Sequence, residues 1–197
     1  ICASGIKGFD GTYHSVWSGF SEYAIAGDWE SYTADGGDTE GENAYRGRYR
    51  HNLTLPAGLT RQQAGLAFSL AEAASSLMQV GELNGKTVTV IGTGFVGYAF
   101  VFFAKQFGAQ QVICLGRRQA RLAIAETLGA DRCFIDPVEA AAYISGLGGA
   151  DVVLEVAGSP DTFRMAWTCA RPNAIVTVVA LYDGPQTLPL PDMYGKN

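Results

Sequence analysis

A glycine-rich turn constrains this chain more than any other feature of its sequence. A run of β-branched residues at 87–91 leads directly into Gly92-Thr93-Gly94-Phe95-Val96-Gly97, and an apolar segment follows. Gly92 allows a tight turn, Gly94 lets a pyrophosphate approach the backbone, and Gly97 lets a helix pack closely on the strand. The amides of Phe95 and Val96 lie where helical N–H groups lack partners and can bind phosphate. The spacing predicts a dinucleotide-binding turn; the alternative is a glycine-rich turn without a ligand.

From residue 87 onward, predicted strands alternate with predicted helices. Apolar, β-branched runs predict strands at 87–91, 111–115, 132–135, 151–156 and 174–181. The intervening segments predict helices at 95–107, 118–128, 137–147 and 160–170. Such alternation indicates a parallel sheet buried on both faces. The predicted fold is therefore α/β, a Rossmann doubly wound parallel sheet of at least five strands.

The part of the chain before the turn is less regular. Residues 19–26 alternate as a short strand does, and residues 28–51 are polar and predict a surface loop or disorder. Thr60 and Gln63 match a capping box, so a helix is expected to start there. Its apolar residues are spread widely enough to predict a mostly buried helix. The predicted domains are 1–55 and 56–197.

The residue after the second strand bears on which nucleotide binds. An acid at this position accepts hydrogen bonds from the adenosine ribose. Here Gly116 occupies it, followed by Arg117 and Arg118. No carboxylate would repel a 2′-phosphate, and two guanidinium groups can bind one. The sequence predicts NADP rather than NAD; the alternative makes both arginines solvated residues at a helix start.

Composition excludes several classes of partner. The chain has 197 residues, a net charge of -5 and no basic block, which argues against nucleic acid and anionic membranes. No apolar run reaches the roughly 20 residues that span a bilayer. The four cysteines are scattered, with no CxxC spacing. This usage predicts a reducing, cytoplasmic setting without a disulfide framework.

Several short motifs occur in order along the chain. They are residues 19–23 (GFSEY), 85–88 (GKTV), 104–109 (AKQFGA), 121–131 (RLAIAETLGAD), 151–158 (DVVLEVAG), 188–190 (LPL) and 196–197 (KN). In this order and spacing, the sequence resembles the medium-chain dehydrogenase/reductase superfamily, on its zinc alcohol dehydrogenase-like side. The resemblance covers the coenzyme-binding domain. It implies hydride transfer between NAD(P) and an alcohol or carbonyl substrate.

The resemblance also implies further cofactor contacts. Ala157 and Gly158 end the predicted fourth strand, and Ala180 and Leu181 end the predicted fifth. Both pairs are expected at the carboxyl edge of the sheet, where ligands bind in open α/β folds. In the family these regions line the ribose and nicotinamide pocket, whereas the alternative is ordinary packing at strand ends.

The family's zinc chemistry has no visible counterpart here. The sequence lacks the family's Gly-His-Glu motif, and neither His14 nor His51 matches it. The later ligand position falls on Phe68, and a single Cys2 near the family's structural zinc lobe cannot build a tetrahedral site. We therefore assign no catalytic and no metal-binding residue, and expect any zinc ligands of the family to lie outside this chain.

These expectations describe a chain truncated at both ends relative to the family. Residues 1–55 would be a remnant of a β-rich catalytic domain, and a family-type dimer is doubtful without the last strand. The predicted function is the coenzyme-binding part of an alcohol dehydrogenase-like oxidoreductase, inactive by itself. The alternative is a non-catalytic dinucleotide-binding module or inactive fragment.

Overall fold

The structure is a computed structural model that describes residues 34, 36, 55–188 and 190. The chain divides into two compact units, Ile1–Ala67 and Phe68–Asn197. The predicted strand at 19–26 and both histidines lie outside the described residues, and so does most of the polar segment. The predicted domain boundary at residue 55 stays a prediction.

Helices and strands alternate from residue 61 onward, in the order that the sequence predicts. The helices are α1 Arg61–Val80, α2 Phe95–Gln106, α3 Gln119–Thr127, α4 Pro137–Gly146 and α5 Pro160–Cys169. The strands are β1 Thr87–Ile91, β2 Gln111–Leu115, β3 Arg132–Phe134, β4 Ala150–Glu155 and β5 Ala170–Val178. Apart from the start and end of β5, the predicted strand and helix limits agree to within one residue.

The five strands form one parallel sheet in the order β3-β2-β1-β4-β5. The predicted α/β Rossmann fold is thus confirmed. The central strand β1 pairs with β2 on one side and with β4 on the other, so Val90 is opposite both Cys114 and Leu154. The chain reverses its direction of travel across the sheet at β1 and β4, and in such folds the crevice beyond this reversal is where ligands bind.

Alternate residues of each strand pack into two apolar layers. Val112 and Cys114 of β2 belong to the layer that also holds Leu77 of α1 and Phe100 of α2. Ile113 belongs to the opposite layer, with residues of α4 and α5. Because strand side chains alternate between faces, one five-residue strand contributes to both layers. Helices therefore cover both faces of the sheet.

Helix α1 begins as predicted but is less buried than predicted. Gln63 N–H donates to Thr60 Oγ1 and Thr60 N–H donates to Gln63 Oε1, which completes the capping box. Phe68 and Met78 are 59% and 71% exposed. Only a narrow stripe of α1, with Ala73 and Leu77 at the i, i+4 spacing, belongs to the core of the second unit. The prediction of a mostly buried helix was wrong.

Strand β5 differs from its predicted limits at both ends. It starts at Ala170, directly after α5, and its pairing with β4 is irregular between Ala150 and Val152. It ends at Val178 because the next two amides, those of Val179 and Ala180, both donate to the carbonyl oxygen of Glu155. Ala180 and Leu181 therefore follow β5 and are not part of it.

Candidate dinucleotide-binding site

The tight turn after β1 is built around Gly92. Its φ of 124° lies in the left-handed region that favours glycine. Its N–H donates to the carbonyl oxygen of Leu115 at 2.9 Å, which ties the turn to the end of β2. A Cβ at this position would lie 3.0 Å from Val156 Cγ2 and 3.1 Å from Ala157 N. The turn therefore touches the end of β2 and the loop after β4.

The other two glycines of the motif have different surroundings. A Cβ on Gly97 would lie 2.1 Å from the carbonyl oxygen of Gly92, so only glycine lets α2 approach the turn this closely. A Cβ on Gly94 would meet no heavy atom within 4 Å, and its backbone conformation is extended. The fold therefore requires glycine at 97, whereas at 94 the space in front of the backbone is open.

The first turn of α2 leaves its amides available. Tyr98 N–H donates to Gly94 O at 3.0 Å, and the amides of Phe95, Val96 and Gly97 precede this first helical bond. Gly94, at the N-cap, supplies no side-chain acceptor, and the first turn holds no acidic residue. These unpaired N–H groups and the positive end of the helix dipole suit an anion such as a phosphate.

Gly116 touches the glycine turn. A Cβ at this position would lie 2.4 Å from Thr93 Cγ2 and 2.6 Å from Thr93 Oγ1, and 3.1 Å from a methyl group of Leu122. Thr93 is itself buried. Glycine at 116 is thus a consequence of the threonine in the turn, a contact between distant residues that sequence reasoning missed.

Arg117 and Arg118 follow Gly116 on the surface. Both are exposed, and Arg118 is the N-cap of α3 without capping it through its side chain. Among the described residues, neither guanidinium group has a salt-bridge partner. Two unneutralised cations therefore lie next to the end of β2, at the position predicted to take a ribose phosphate.

The two predicted pairs beyond β4 and β5 are brought together. A Cβ on Gly158 would lie 3.0 Å from the carbonyl oxygen of Leu181 and 3.3 Å from Ala180 Cβ. Gly158 has a φ of 78°, which again favours glycine. The Leu181 side chain is 95% exposed. The predicted site residues thus form one continuous carboxyl edge, from Gly116 through the glycine turn to Leu181.

Sequence reasoning assigned no role to Glu155, a fully buried acid at the end of β4. Its Oε1 accepts hydrogen bonds from the N–H groups of Ala157 at 2.9 Å and Gly158 at 3.0 Å. Its Oε2 accepts a hydrogen bond from the Tyr182 hydroxyl. Burial, together with this bond to Glu155, raises the pKa of Tyr182 above its usual range. An acid directly after the apolar run at 152–154 was the available signal.

The residues present fit a dinucleotide in three respects. The open backbone at Gly94 is the cradle that a Cβ would fill, and the first amides of α2 have no helical partners or side-chain cap. Two exposed arginines follow the end of β2. Zinc is different. Within residues 34, 36, 55–188 and 190, no group of three His, Cys, Asp or Glu side chains is placed to hold a metal ion. The described residues therefore do not fit a zinc site.

Comparisons with known proteins agree with this architecture. The model of the zinc-binding dehydrogenase family matches residues 96–197. The L-threonine 3-dehydrogenase of Symbiobacterium thermophilum is 35% identical over 114 residues, which is 56% of this chain and 32% of that protein. The L-threonine 3-dehydrogenase of Bacillus licheniformis is 31% identical over 134 residues, 66% of this chain and 38% of that protein.

Solved structures give the same picture. An alcohol dehydrogenase from Thermus sp. ATN1 superposes with a TM-score of 0.66 at 30% identity, covering 73% of this chain and 43% of that one. The L-idonate 5-dehydrogenase of Escherichia coli superposes with a TM-score of 0.65 at 26% identity, covering 73% and 42%. The chain spans about a third to two fifths of the length of the relatives it matches.

Fold and glycine turn define a Rossmann-type nucleotide-binding domain. More particularly, the chain belongs to the zinc-binding dehydrogenase family, because that family's model matches more than half of it. The resemblance to zinc alcohol dehydrogenase-like proteins predicted from the motifs is confirmed. As for membranes, none of the helices in the described part of the chain combines the length and apolar character that a bilayer crossing requires.

Proposed function

We propose that this chain is the coenzyme-binding part of an alcohol dehydrogenase-like oxidoreductase, which moves hydride between NADP(H) and an alcohol or carbonyl substrate. One observation carries the proposal. On the continuous surface at the carboxyl edge of the sheet, a Cβ on Gly94 would meet no heavy atom within 4 Å, and Gly94 directly precedes a helix with free amides. Family membership supports the reaction class, because the relatives it matches include L-threonine 3-dehydrogenases and alcohol dehydrogenases.

The preference for NADP rests on the end of β2. Gly116 leaves no carboxylate to accept hydrogen bonds from the adenosine ribose, and Thr93 leaves no room for one. A 2′-phosphate carries charge that Arg117 and Arg118 can bind through paired N–H groups. Positive charge at the start of α3 opposes the helix dipole, and a bound phosphate would offset that penalty.

Bound nicotinamide would supply the hydride acceptor or donor, and this chain's residues would hold it in place. The amides of Phe95 and Val96 would bind the pyrophosphate, and Gly94 would let it approach the backbone. The loops at 157–158 and 180–181 would line the ribose and nicotinamide. The relatives' substrates and any metal concern the whole protein.

The proposed setting is the reducing cytoplasm, with a small-molecule cofactor as the partner. Cys114 and Cys133 are direct neighbours on β2 and β3, and no disulfide bond joins them. An unlinked pair so close together is typical of a compartment that keeps thiols reduced.

The experiment that tests the proposal compares NADPH and NADH binding to the full chain by reduced-nicotinamide fluorescence. Replacing both arginines, Arg117→Ala with Arg118→Ala, should weaken NADPH binding by about tenfold or more while leaving NADH within about twofold. The matched control is Arg132→Ala, which removes an exposed cation at the opposite end of the neighbouring strand β3. It should change neither affinity.

Two results would contradict the proposal. Wild-type protein that binds NADH as tightly as NADPH, or more tightly, rules out the arginine argument. Wild-type protein that binds neither nucleotide rules out a coenzyme-binding role.

A further inference from the structure

A single buried residue connects the two loops that follow β4 and β5. The Glu155 side chain accepts the amides of Ala157 and Gly158 through one oxygen and the Tyr182 hydroxyl through the other. Its main-chain oxygen accepts the amides of Val179 at 2.9 Å and Ala180 at 3.2 Å. Five donors from two separate loops thus converge on one residue at the end of β4.

We propose that Glu155 and Tyr182 form a positioning bridge that sets the spacing of the nicotinamide half of the site. We call the Glu155 carboxyl group with its three donors, Ala157, Gly158 and Tyr182, the Glu155 bridge. The proposal rests on the proposed function, because the loops it joins are the ones expected to line the nicotinamide. The bridge residues act on the cofactor through these loops and do not themselves take part in hydride transfer.

Tyr182 is the member of the Glu155 bridge whose hydrogen bond can be removed with the least disturbance of packing. Tyr182 is partly exposed, and its ring packs edge-on against Phe163 of α5, with centroids 5.9 Å apart and planes at 81°. The hydroxyl is therefore the polar tip of a side chain whose ring is already anchored. Removing it leaves the ring contact and the two amide bonds to the Glu155 main-chain oxygen, but it breaks the link between Tyr182 and the Glu155 side chain. A buried carboxyl oxygen is then left without that donor.

The loops after β4 and β5 are in close contact, so a small shift of one loop changes its spacing from the other. A Cβ on Gly158 would lie 3.0 Å from Leu181 O, so the two chain segments already touch. A shift of either loop would change the pocket that both of them line. Catalytic geometry is demanding, and a displacement of about 1 Å is enough to matter for a bound reactive group.

The adenosine half lies on the other side of β1. Gly116 and Arg117 follow β2, whereas Glu155 ends β4, and β1 separates these two strands in the sheet. The Glu155 bridge makes no contact with the end of β2 among its hydrogen bonds. Its loss should therefore affect the nicotinamide half of a ligand and spare the adenosine half.

The experiment uses the full chain and two ligands that occupy different parts of the site. NADPH fills the whole site, and adenosine 2′,5′-bisphosphate fills the adenosine end alone. Tyr182→Phe should weaken NADPH binding by about tenfold and leave bisphosphate binding within about twofold. Tyr143→Phe is the matched control: its hydroxyl accepts a hydrogen bond from Gln111 at the start of β2, remote from the carboxyl edge. It should change neither affinity.

A second variant tests whether Tyr182 acts through Glu155. Glu155→Met keeps a similar side-chain volume but accepts no strong hydrogen bond. It should weaken NADPH binding at least as much as Tyr182→Phe, because the amides of Ala157 and Gly158 also lose their acceptor. Adding Tyr182→Phe to Glu155→Met should cause no further loss, since the bond is already gone. Circular dichroism and thermal melting confirm that each variant compared is folded.

The outcomes separate the bridge from the proposed function. A selective loss of NADPH affinity in Tyr182→Phe, absent in Tyr143→Phe and not increased in the double variant, supports the Glu155 bridge. Equal weakening of both ligands, unchanged NADPH binding, or additive losses in the double variant overturns it while the wild-type protein still binds NADPH. Wild-type protein that binds neither ligand overturns the proposed function, and the bridge with it.

Discussion

Thr93 and Gly116 are in direct steric contact, although 22 residues of chain lie between them. A Cβ on Gly116 would come within 2.4 Å of Thr93 Cγ2 and 2.6 Å of Thr93 Oγ1. Real Cβ atoms do not approach other atoms this closely, so the residue in the turn determines what can follow β2. The absence of an acid at position 116 therefore has a steric cause.

Replacing Gly116 should reveal this contact as a coupling between the two residues. Gly116→Ala is expected to lower the free energy of unfolding by about 1–3 kcal/mol through overpacking. Thr93→Ala removes the two atoms that lie closest to the new Cβ, so the double variant should recover about 1 kcal/mol or more of that loss. Urea unfolding of the four proteins of this cycle measures the coupling. Additive effects would show that the Gly116 backbone moves aside instead.

Alanine replacements at Gly94 and Gly97 should distinguish a glycine needed for ligand binding from one needed for folding. Gly97→Ala places a Cβ 2.1 Å from a backbone oxygen, which cannot give way as a flexible side chain can. We expect a loss of about 3 kcal/mol or more in unfolding free energy, at the upper end of overpacking. Gly94→Ala meets no heavy atom within 4 Å and should cost about 1 kcal/mol or less, the difference between glycine and alanine at an N-cap.

Gly94→Ala should have a large effect on cofactor binding, in contrast to its small effect on stability. Although Gly94→Ala is nearly harmless to folding, its methyl group would occupy the space proposed for the pyrophosphate. NADPH affinity should therefore fall by about tenfold or more in a protein that melts near the wild-type temperature. Unchanged affinity in Gly94→Ala would show that the pyrophosphate does not bind against the backbone of Gly94.

The parts of the fold that the sequence predicted correctly are those that local chain chemistry dictates. A β-branched run followed by three spaced glycines and an apolar segment leaves few alternatives to a strand, turn and helix. The alternation of such units then implies a parallel sheet. The start of α1 was equally predictable, because Thr60 and Gln63 satisfy each other's amides within one helical turn.

The parts that were missed depend on partners distant in the chain. The exposure of Phe68 and Met78 is decided by which neighbours α1 meets, and its composition alone does not contain that information. The end of β5 is set by the carbonyl oxygen of Glu155, more than twenty residues earlier. The role of Glu155 itself required Tyr182 to be placed beside it. The glycine turn could be predicted because it lies within one short stretch of chain, whereas the contacts of Glu155 with two loops could not.

The Lys105–Asp131 pair should contribute less as an ion pair than as an acceptor of a buried amide. Lys105 Nζ lies 3.0 Å from Asp131 Oδ2, and both side chains are partly exposed. The same oxygen accepts the N–H of buried Val112 at 2.7 Å. Lys105→Met should cost about 1 kcal/mol or less, as partly exposed ion pairs do. Asp131→Ala should cost about 1–3 kcal/mol, because the Val112 amide loses its side-chain acceptor.

Urea unfolding at neutral pH measures this difference. The Asp131→Asn variant is a useful control, since its amide oxygen can still accept the Val112 N–H while the charge is removed. It should resemble Lys105→Met more than Asp131→Ala. Equal losses in Lys105→Met and Asp131→Ala would assign the stability to the ion pair instead.

Cys133 should be the most reactive of the three described thiols. Cys114 and Cys133 are opposite each other on β2 and β3. The hydrogen bond between the two thiols, with burial, raises the pKa of Cys114. Cys133 accepts this hydrogen bond from Cys114, and the bond lowers the pKa of Cys133. Burial and the negative charge of Glu126 act the other way on the pKa of Cys133, and the hydrogen bond from Cys114 outweighs them.

The lowered pKa gives a definite direction to the pH dependence of labelling. Because the thiolate is the nucleophile, iodoacetamide should react with Cys133 at lower pH than with an ordinary cysteine, whose pKa is about 8.5. Cys114 and Cys169 are buried and should react only when the protein unfolds. In Cys114→Ala, Cys133 loses its donor, so the midpoint of its labelling curve should move to higher pH. Mass spectrometry of the labelled peptides follows each site separately, and a midpoint that Cys114→Ala leaves in place would refute a role for the thiol pair.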